Sequence, residues 1–206
     1  MTATMARQVP PTEAVIVPPP GGAAIVGVIE TRYNNAIEQQ IVLASEDPLE
    51  GENFISVRMY GPVGSQPGDQ RLKFDRPMVG DIQREMRKVL PDMGMYVSST
   101  YVQNFYGPFA YAFGRRGNTA CLFGWQTIEA HRNQFSEPKG GRGSVVVRVR
   151  LCRVGASEDN LLAFMYGYTL SSFFTALDWN PLGTPRPVNP DVGQIGAPML
   201  PTPQGV

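Results

Sequence analysis

Two stretches near the middle of the chain decide its fold: residues 119–129 read TACLFGWQTIE, and residues 144–153 read SVVVRVRLCR. Both are rich in β-branched and aromatic residues, which is typical of strands. The segment between them is polar and contains the glycine-rich run GGRG. The two stretches therefore predict two antiparallel strands joined by a long loop.

One register of this hairpin gives each face a consistent character. If Cys121 lies opposite Cys152, one face becomes mostly apolar and forms the core side. Its pairs are Leu122 with Leu151, Gly124 with Val149, Gln126 with Val147, and Ile128 with Val145.

The opposite face then pairs aromatic side chains with arginines, Phe123 with Arg150 and Trp125 with Arg148. Stacking of a guanidinium on an aromatic ring is favourable by about 0.5–2 kcal/mol. We therefore regard Trp125, Phe123, Arg148 and Arg150 as a candidate surface for a glycan or a protein partner.

The same register predicts a disulfide between Cys121 and Cys152. It would close a loop of 31 residues and stabilise the fold by roughly 3–4 kcal/mol on the chain-entropy account. Disulfides persist in oxidising compartments, so a bond here indicates export. The alternative, two buried thiols in a cytosolic protein, stays open on these residues alone.

Further elements extend outward from the hairpin. The sequence predicts paired strands at 23–33 and 36–44 around Asn34-Asn35, a strand at 54–60, and aromatic strands at 96–106 and 109–113. Apolar spacing predicts helices at 77–90 and 158–168, the second capped by Ser157. This pattern indicates an α+β fold, a mainly antiparallel sheet packed by about two helices.

Proline marks the expected domain boundaries. Five of the 19 prolines lie in residues 1–22 and seven lie in 178–206. Because proline interrupts helices and central strands, we expect flexible, proline-rich extended arms at 1–22 and 178–206. The single folded domain is then expected at 23–177.

The composition limits the partners and the kinds of site that the protein can have. Eighteen basic residues balance eighteen acidic ones, and this balance argues against a nucleic-acid partner. His131 is the one histidine, which excludes a multi-histidine metal site, and no cofactor or catalytic motif is found. We therefore expect a non-enzymatic protein without metal, cofactor or catalytic residues. The first 22 residues lack a signal-peptide pattern.

Two other features leave alternatives open. An aromatic run either packs in the core or stacks on sugar rings; its members are Tyr96, Tyr101, Phe105, Tyr106, Phe109, Tyr111 and Phe113. Residues 115–153 contain eight basic groups and two acidic ones, whereas 29–52 contain six acidic groups and one basic. The two regions either lie near each other or are simply solvated, or they mark a partner surface or self-association into a homo-oligomer.

The hairpin strands, with VRVRLCR at 147–153, Ser157-Glu158 and LLAFMYGY at 161–168, resemble the cellulose biosynthesis protein BcsN family of alphaproteobacteria. The resemblance covers roughly residues 50–180. It implies an accessory protein of bacterial cellulose production in the cell envelope, and it implies no known catalytic residues.

From the resemblance we expect an exported, periplasmic or envelope-associated protein of biofilm exopolysaccharide production. Its targeting route, by a leader or a lipid anchor, stays open. Its expected partners are other cellulose-synthesis or envelope proteins, with the cellulose chain as a further candidate. The alternatives are a glycan-binding module that uses Trp125 and the tyrosines, a self-assembling structural subunit, or a glucan hydrolase.

Overall fold

A computed structural model of the chain describes residues 5–60, 70–74, 78–129 and 144–171. Its elements, in chain order, are β1 (Ala6–Val9), a short 3-10 helix (Pro11–Glu13), β2 (Ile16–Val17), β3 (Ile25–Arg32), β4 (Ala36–Leu43), β5 (Asn53–Tyr60), α1 (Val79–Val89), β6 (Tyr96–Val97), β7 (Val102–Asn104), β8 (Gly107–Arg116), β9 (Thr119–Glu129), β10 (Ser144–Val154), α2 (Glu158–Gly167) and β11 (Thr169–Leu170). The structure is dominated by a large antiparallel sheet with two α-helices, consistent with the predicted α+β class.

Within the described residues, nine strands form one sheet. Strands β3, β4 and β5 form one antiparallel meander, and β8, β9 and β10 form another. Pairing of β5 with β10 joins the two meanders, while β1 extends the sheet at one edge and β6 at the other. Strand β7 also pairs with β8, and β2 forms a separate small pair with β11.

The predicted register of the β9–β10 hairpin is confirmed. Cys121 lies opposite Cys152, and Phe123 and Trp125 lie opposite Arg150 and Arg148. The apolar face of the hairpin is buried as predicted, and helix α2 packs on it through Leu161 and other apolar residues.

Helix α1 covers the other face of the same hairpin. Its apolar residues Ile82 and Met86 form a second buried cluster with Cys121 and Phe123. Both faces of the hairpin are therefore covered, each by one helix. The helix predicted at 77–90 is found as α1 at Val79–Val89, with Met78 and Leu90 as its caps. Residue 77 lies outside the described residues.

The prediction for helix α2 is confirmed to within one residue. Its N-cap is Ser157, whose hydroxyl accepts a hydrogen bond of 3.2 Å from the backbone N–H of Asn160. The cap satisfies an N–H group that has no partner within the helix.

The prediction of a flexible arm over residues 1–22 is wrong for the described part, residues 5–22. Strand β1 pairs with β3, and β2 pairs with β11. Val9, Val15 and Ile16 are buried, and the N–H of Val15 donates to Oε1 of Gln39 at 2.9 Å. The prolines lie in the turns between short strands, where a missing N–H costs little, and the apolar residues between them still pack.

The aromatic segment folds as three strands instead of two. Strands β6 and β7 are separated by an irregular stretch, and the turn falls at Phe105-Tyr106 instead of at Gly107-Pro108. Gly107 has a φ of 114°, a conformation that glycine adopts most easily. Pro108 lies inside β8.

The C-terminal arm predicted at 178–206 lies outside the described residues, which end at residue 171. The predicted domain boundary at 177 lies outside them as well. In the described part of the chain, no helix combines the length and the apolar character needed to cross a membrane.

Candidate functional site

The four residues of the predicted surface lie together, but three of them are buried under helix α1. Phe123 is 0% exposed, Arg150 is 1% exposed, and Arg148 is also buried. Trp125 is partly exposed and packs against the cluster beneath α1. Three of the four side chains are therefore covered by the fold, and Trp125 alone among the four is partly exposed.

Arg150 joins the end of helix α1 to the loop before strand β5. Its guanidinium donates to the carbonyl oxygens of Val89, Gly51 and Glu50 at 3.2, 3.0 and 2.8 Å. Burial lowers the pKa of Arg150, and backbone carbonyls at a helix C-terminus favour a cation. The arginine therefore has a structural role in this fold.

Arg148 is held in a similar way, with a carboxylate as one partner. Its Nε donates to Glu85 of α1 at 3.2 Å, and one terminal nitrogen donates to the carbonyl of Val147 at 2.9 Å. Burial lowers the pKa of Arg148, although Glu85 opposes this shift. Both guanidinium groups hold α1 against the sheet, a role that the alternating pattern of strand β10 did not reveal.

The two cysteines form a disulfide in the structure, with an S–S distance of 2.07 Å. It lies in the cluster beneath α1. The side chain of Asn53 holds the backbone of Cys152 from the neighbouring strand, with hydrogen bonds of 2.7 and 2.9 Å to its N–H and C=O groups. The disulfide thus joins β9 and β10 inside the fold.

The acidic and basic regions meet at this cluster, because Arg150 contacts the backbone of Glu50 and Gly51. Farther along the sheet, buried Glu30 binds Arg7 at 2.8 Å and Arg32 at 2.6 Å. Burial raises the pKa of Glu30, but the hydrogen bonds from Arg7, Arg32 and Gln39 and the charge of Arg32 together lower it overall. Glu30 is therefore neutralised by one arginine of its own strand and one of the neighbouring strand β1.

The aromatic run divides between the core and the surface. Phe109, Tyr111 and Phe113 of β8 are buried. Tyr96 is 52% exposed, Tyr101 is 75% exposed and Phe105 is 62% exposed. The prediction of core packing is therefore confirmed for Phe109, Tyr111 and Phe113. Stacking on sugar rings stays a prediction for the exposed members Tyr96, Tyr101 and Phe105.

Helix α2 adds a fourth exposed ring beside this run. Tyr166 is 46% exposed, and its ring contacts Phe109 edge to face at 5.3 Å between centroids. We call the four exposed rings, Tyr96, Tyr101, Phe105 and Tyr166, the aromatic edge. Sequence reasoning missed Tyr166 because the spacing of α2 drew attention to its core residues.

A carboxylate fixes one end of the aromatic edge. The hydroxyl groups of Tyr96 and Tyr111 donate to the two oxygens of Glu158, at 2.6 and 2.9 Å. The hydrogen bond to Glu158 raises the pKa of Tyr96 to about 12. The pKa of Tyr111 is lowered by a hydrogen bond to Ser98, but burial and Glu158 outweigh this and raise it overall.

A buried polar network lies behind the other end. The amide of Asn104 donates to Gln126 at 2.9 Å and to the carbonyl of Met165 at 2.8 Å. Gln126 returns a hydrogen bond to Asn104 and accepts one from the hydroxyl of Tyr168. Burial raises the pKa of Tyr168, which therefore stays a neutral donor. The network fixes β7 against α2, because buried polar groups must keep their partners.

A cavity of about 370 Å³ lies on the same face of the sheet, at the other side of α2. Its wall includes the turn Pro19–Gly22, the small residues Ala24 and Ala44, and Phe164 of α2. Among the described residues, no group of three or more His, Cys, Asp or Glu side chains could hold a metal ion. His131 lies outside the described residues.

Comparison with known proteins gives one match. The model of the family described as cellulose biosynthesis protein BcsN matches residues 15–199. No curated protein and no solved structure matches the chain.

Proposed function

The chain belongs to the cellulose biosynthesis protein BcsN family, and we propose that it is a non-enzymatic accessory protein of the bacterial cell envelope. In this role it supports the synthesis or secretion of cellulose through contacts with other cellulose-synthesis or envelope proteins. The observation that carries the proposal is the family match, which includes most of the chain.

The disulfide supports the part of the proposal that concerns location. Cys121 and Cys152 lie opposite each other on paired strands and are bonded. Such bonds persist outside the reducing cytosol, in compartments such as the bacterial periplasm. A protein that acts where cellulose leaves the cell would work in that environment.

Two carboxylates with hydrogen-bond partners support the proposal that the protein is not an enzyme. Glu30 is buried between Arg7 and Arg32, and Glu158 accepts hydrogen bonds from Tyr96 and Tyr111. Glycosidases use a pair of carboxyl groups that flank the scissile bond, and one of them must exchange a proton. Glu30 and Glu158 are instead hydrogen-bonded to side chains of this chain.

The proposal is tested by deleting the gene in its own bacterium and measuring cellulose as glucose released by cellulase. We expect less cellulose in the deletion strain and recovery when the wild-type gene is returned. Purified protein is expected to release no reducing ends from cello-oligosaccharides. Unchanged cellulose in the deletion strain would contradict the accessory role, and release of reducing ends would contradict its non-enzymatic character.

A further inference from the structure

We propose that the aromatic edge, formed by Tyr96, Tyr101, Phe105 and Tyr166, binds a β-linked glucan chain. This inference rests on the proposed function and specifies one ligand for it. The proposal depends on the exposure of the rings, on the lack of charged residues in the segment 93–114 that carries three of them, and on the contacts that hold Tyr96 and Tyr166 in place.

All four rings of the aromatic edge are exposed to solvent. Each of the four is between 46% and 75% exposed, whereas Phe109, Tyr111 and Phe113 in the adjacent strand are buried. Tyr96 contacts Phe113 and Tyr166 contacts Phe109, so both exposed rings pack against strand β8. Clusters of exposed apolar groups, unlike single ones, mark binding surfaces. Aromatic rings suit a β-linked glucan because each sugar ring presents a flat face of C–H groups.

The segment that carries three of the four rings has no charged residues. Residues 93–114, which include β6 and β7, contain no Asp, Glu, Lys, Arg or His. Exposed uncharged polar side chains, Ser99, Thr100 and Gln103, alternate with the rings. Hydroxyl and amide groups can both donate to and accept from sugar hydroxyls. This composition suits a neutral polyhydroxylated ligand better than a phosphorylated or strongly charged one.

Contacts within the fold hold two of the rings, Tyr96 and Tyr166, in place. Glu158 holds the hydroxyl of Tyr96, and Phe109 contacts the ring of Tyr166. Glu158 and Tyr166 lie eight residues apart on α2, which corresponds to about 12 Å along the helix axis. The points at which α2 holds the two rings are therefore separated by more than the length of one sugar unit, and rings already held in place lose little entropy on binding.

The test uses the full-length, disulfide-bonded protein and two ligands, insoluble cellulose in a sedimentation assay and cellohexaose in calorimetry. Insoluble starch, an α-linked glucan, is the control polymer. The variants are Tyr166→Ala and the double variant with Tyr96→Ala. Tyr166→Phe keeps the ring, and Ile29→Ala removes an exposed apolar side chain from β3, in the other meander.

We expect the wild-type protein, Tyr166→Phe and Ile29→Ala to bind cellulose and cellohexaose but not starch. Tyr166→Ala is expected to weaken binding by about tenfold, the effect of losing one partly buried ring, and the double variant more. Circular dichroism establishes that each variant is folded. If an alanine variant unfolds, quenching of the fluorescence of the wild-type protein's exposed tyrosines by cellohexaose, reduced in Tyr166→Phe, replaces it as the test.

Three outcomes overturn the proposal: no binding of the wild-type protein to either ligand, equal binding by the folded double variant, or weakening by Ile29→Ala equal to that by Tyr166→Ala. Concentration-dependent dimerisation lost in the double variant, without glucan binding, would assign the edge to a second copy instead. None of these outcomes touches the accessory role, because that role depends on the cellulose content of the deletion strain.

Discussion

Gly124 allows helix α2 to lie directly on the sheet. A Cβ atom added at this position would lie 2.5 Å from Sδ and 3.1 Å from Cγ of Met165, which is fully buried. Because a buried side chain has little space into which to move, Gly124→Ala is expected to lower the free energy of unfolding by about 1–3 kcal/mol. Urea unfolding followed by circular dichroism measures the change.

Gly80→Ala in helix α1 is the matched control. A Cβ atom at Gly80 meets no atom within 4 Å, and alanine favours a helix over glycine by about 0.5–1 kcal/mol. This variant should therefore be slightly more stable than the wild type. A Gly124→Ala protein of wild-type stability would contradict the close packing of α2.

Tyr96 gives a prediction that depends on pH. Its pKa in the folded protein is about 12, above the ordinary value of 10.0, because its hydroxyl donates to Glu158. The stabilisation from this bond is fully present below about pH 10 and is lost as the pH rises through about 12. Phenolate absorbance of the wild type minus that of Tyr96→Phe should reveal one group titrating near the higher value. Titration of this group near the ordinary pKa of tyrosine would show that the bond does not form.

At the scale of elements, strands β9 and β10 were the most predictable part of the chain. Alternation assigns each side chain of a strand to one face, so a single cysteine pair determines the register. The sequence could not assign the two arginines to a buried role, because that depends on where helix α1 packs. The apolar stripe of α1 was visible in the sequence, but its packing partner was not.

The disulfide gives the prediction at this scale. It closes a separation of 31 residues, so replacing Cys121 and Cys152 by serine should lower the free energy of unfolding by about 3–4 kcal/mol. Urea unfolding of the wild type and the double variant measures this, each with and without a reductant. The reductant should destabilise the wild type and leave the variant unchanged. Equal stability of the two proteins without reductant would contradict a structural disulfide.

At the scale of the whole molecule, the N-terminal segment belongs to the folded unit. Deleting residues 1–17 removes β1 and β2. Glu30 then loses Arg7, one of its partners, and Gln39 loses its hydrogen bonds to the backbone of this segment. We expect the free energy of unfolding to fall by several kcal/mol, on the order of 3–5, because buried polar groups lose their hydrogen bonds. Thermal unfolding measures this loss, and unchanged stability would restore the reading of a flexible arm.

The sequence did not predict that the N-terminal segment is folded, because its composition indicates an extended chain whereas its apolar residues pack on the sheet. Proline content alone indicates an extended chain, but Val15 and Ile16 fill space on the sheet that only the folded structure reveals. The sequence likewise predicted only part of the aromatic edge, because exposure also depends on how the chain packs. The exposure of Tyr96 and Tyr101 depends on their position at the sheet edge, and Tyr166 comes from a distant part of the sequence.

The central claim is that the protein supports cellulose production, and the most direct test is the cellulose content of a deletion strain. Glucose released by cellulase is measured in that strain with an empty vector, the wild-type gene, or the Tyr96→Ala, Tyr166→Ala double variant. We predict low cellulose with the empty vector, recovery with the wild type, and incomplete recovery with the folded variant. Cellulose at the parental level in the empty-vector strain would contradict the claim.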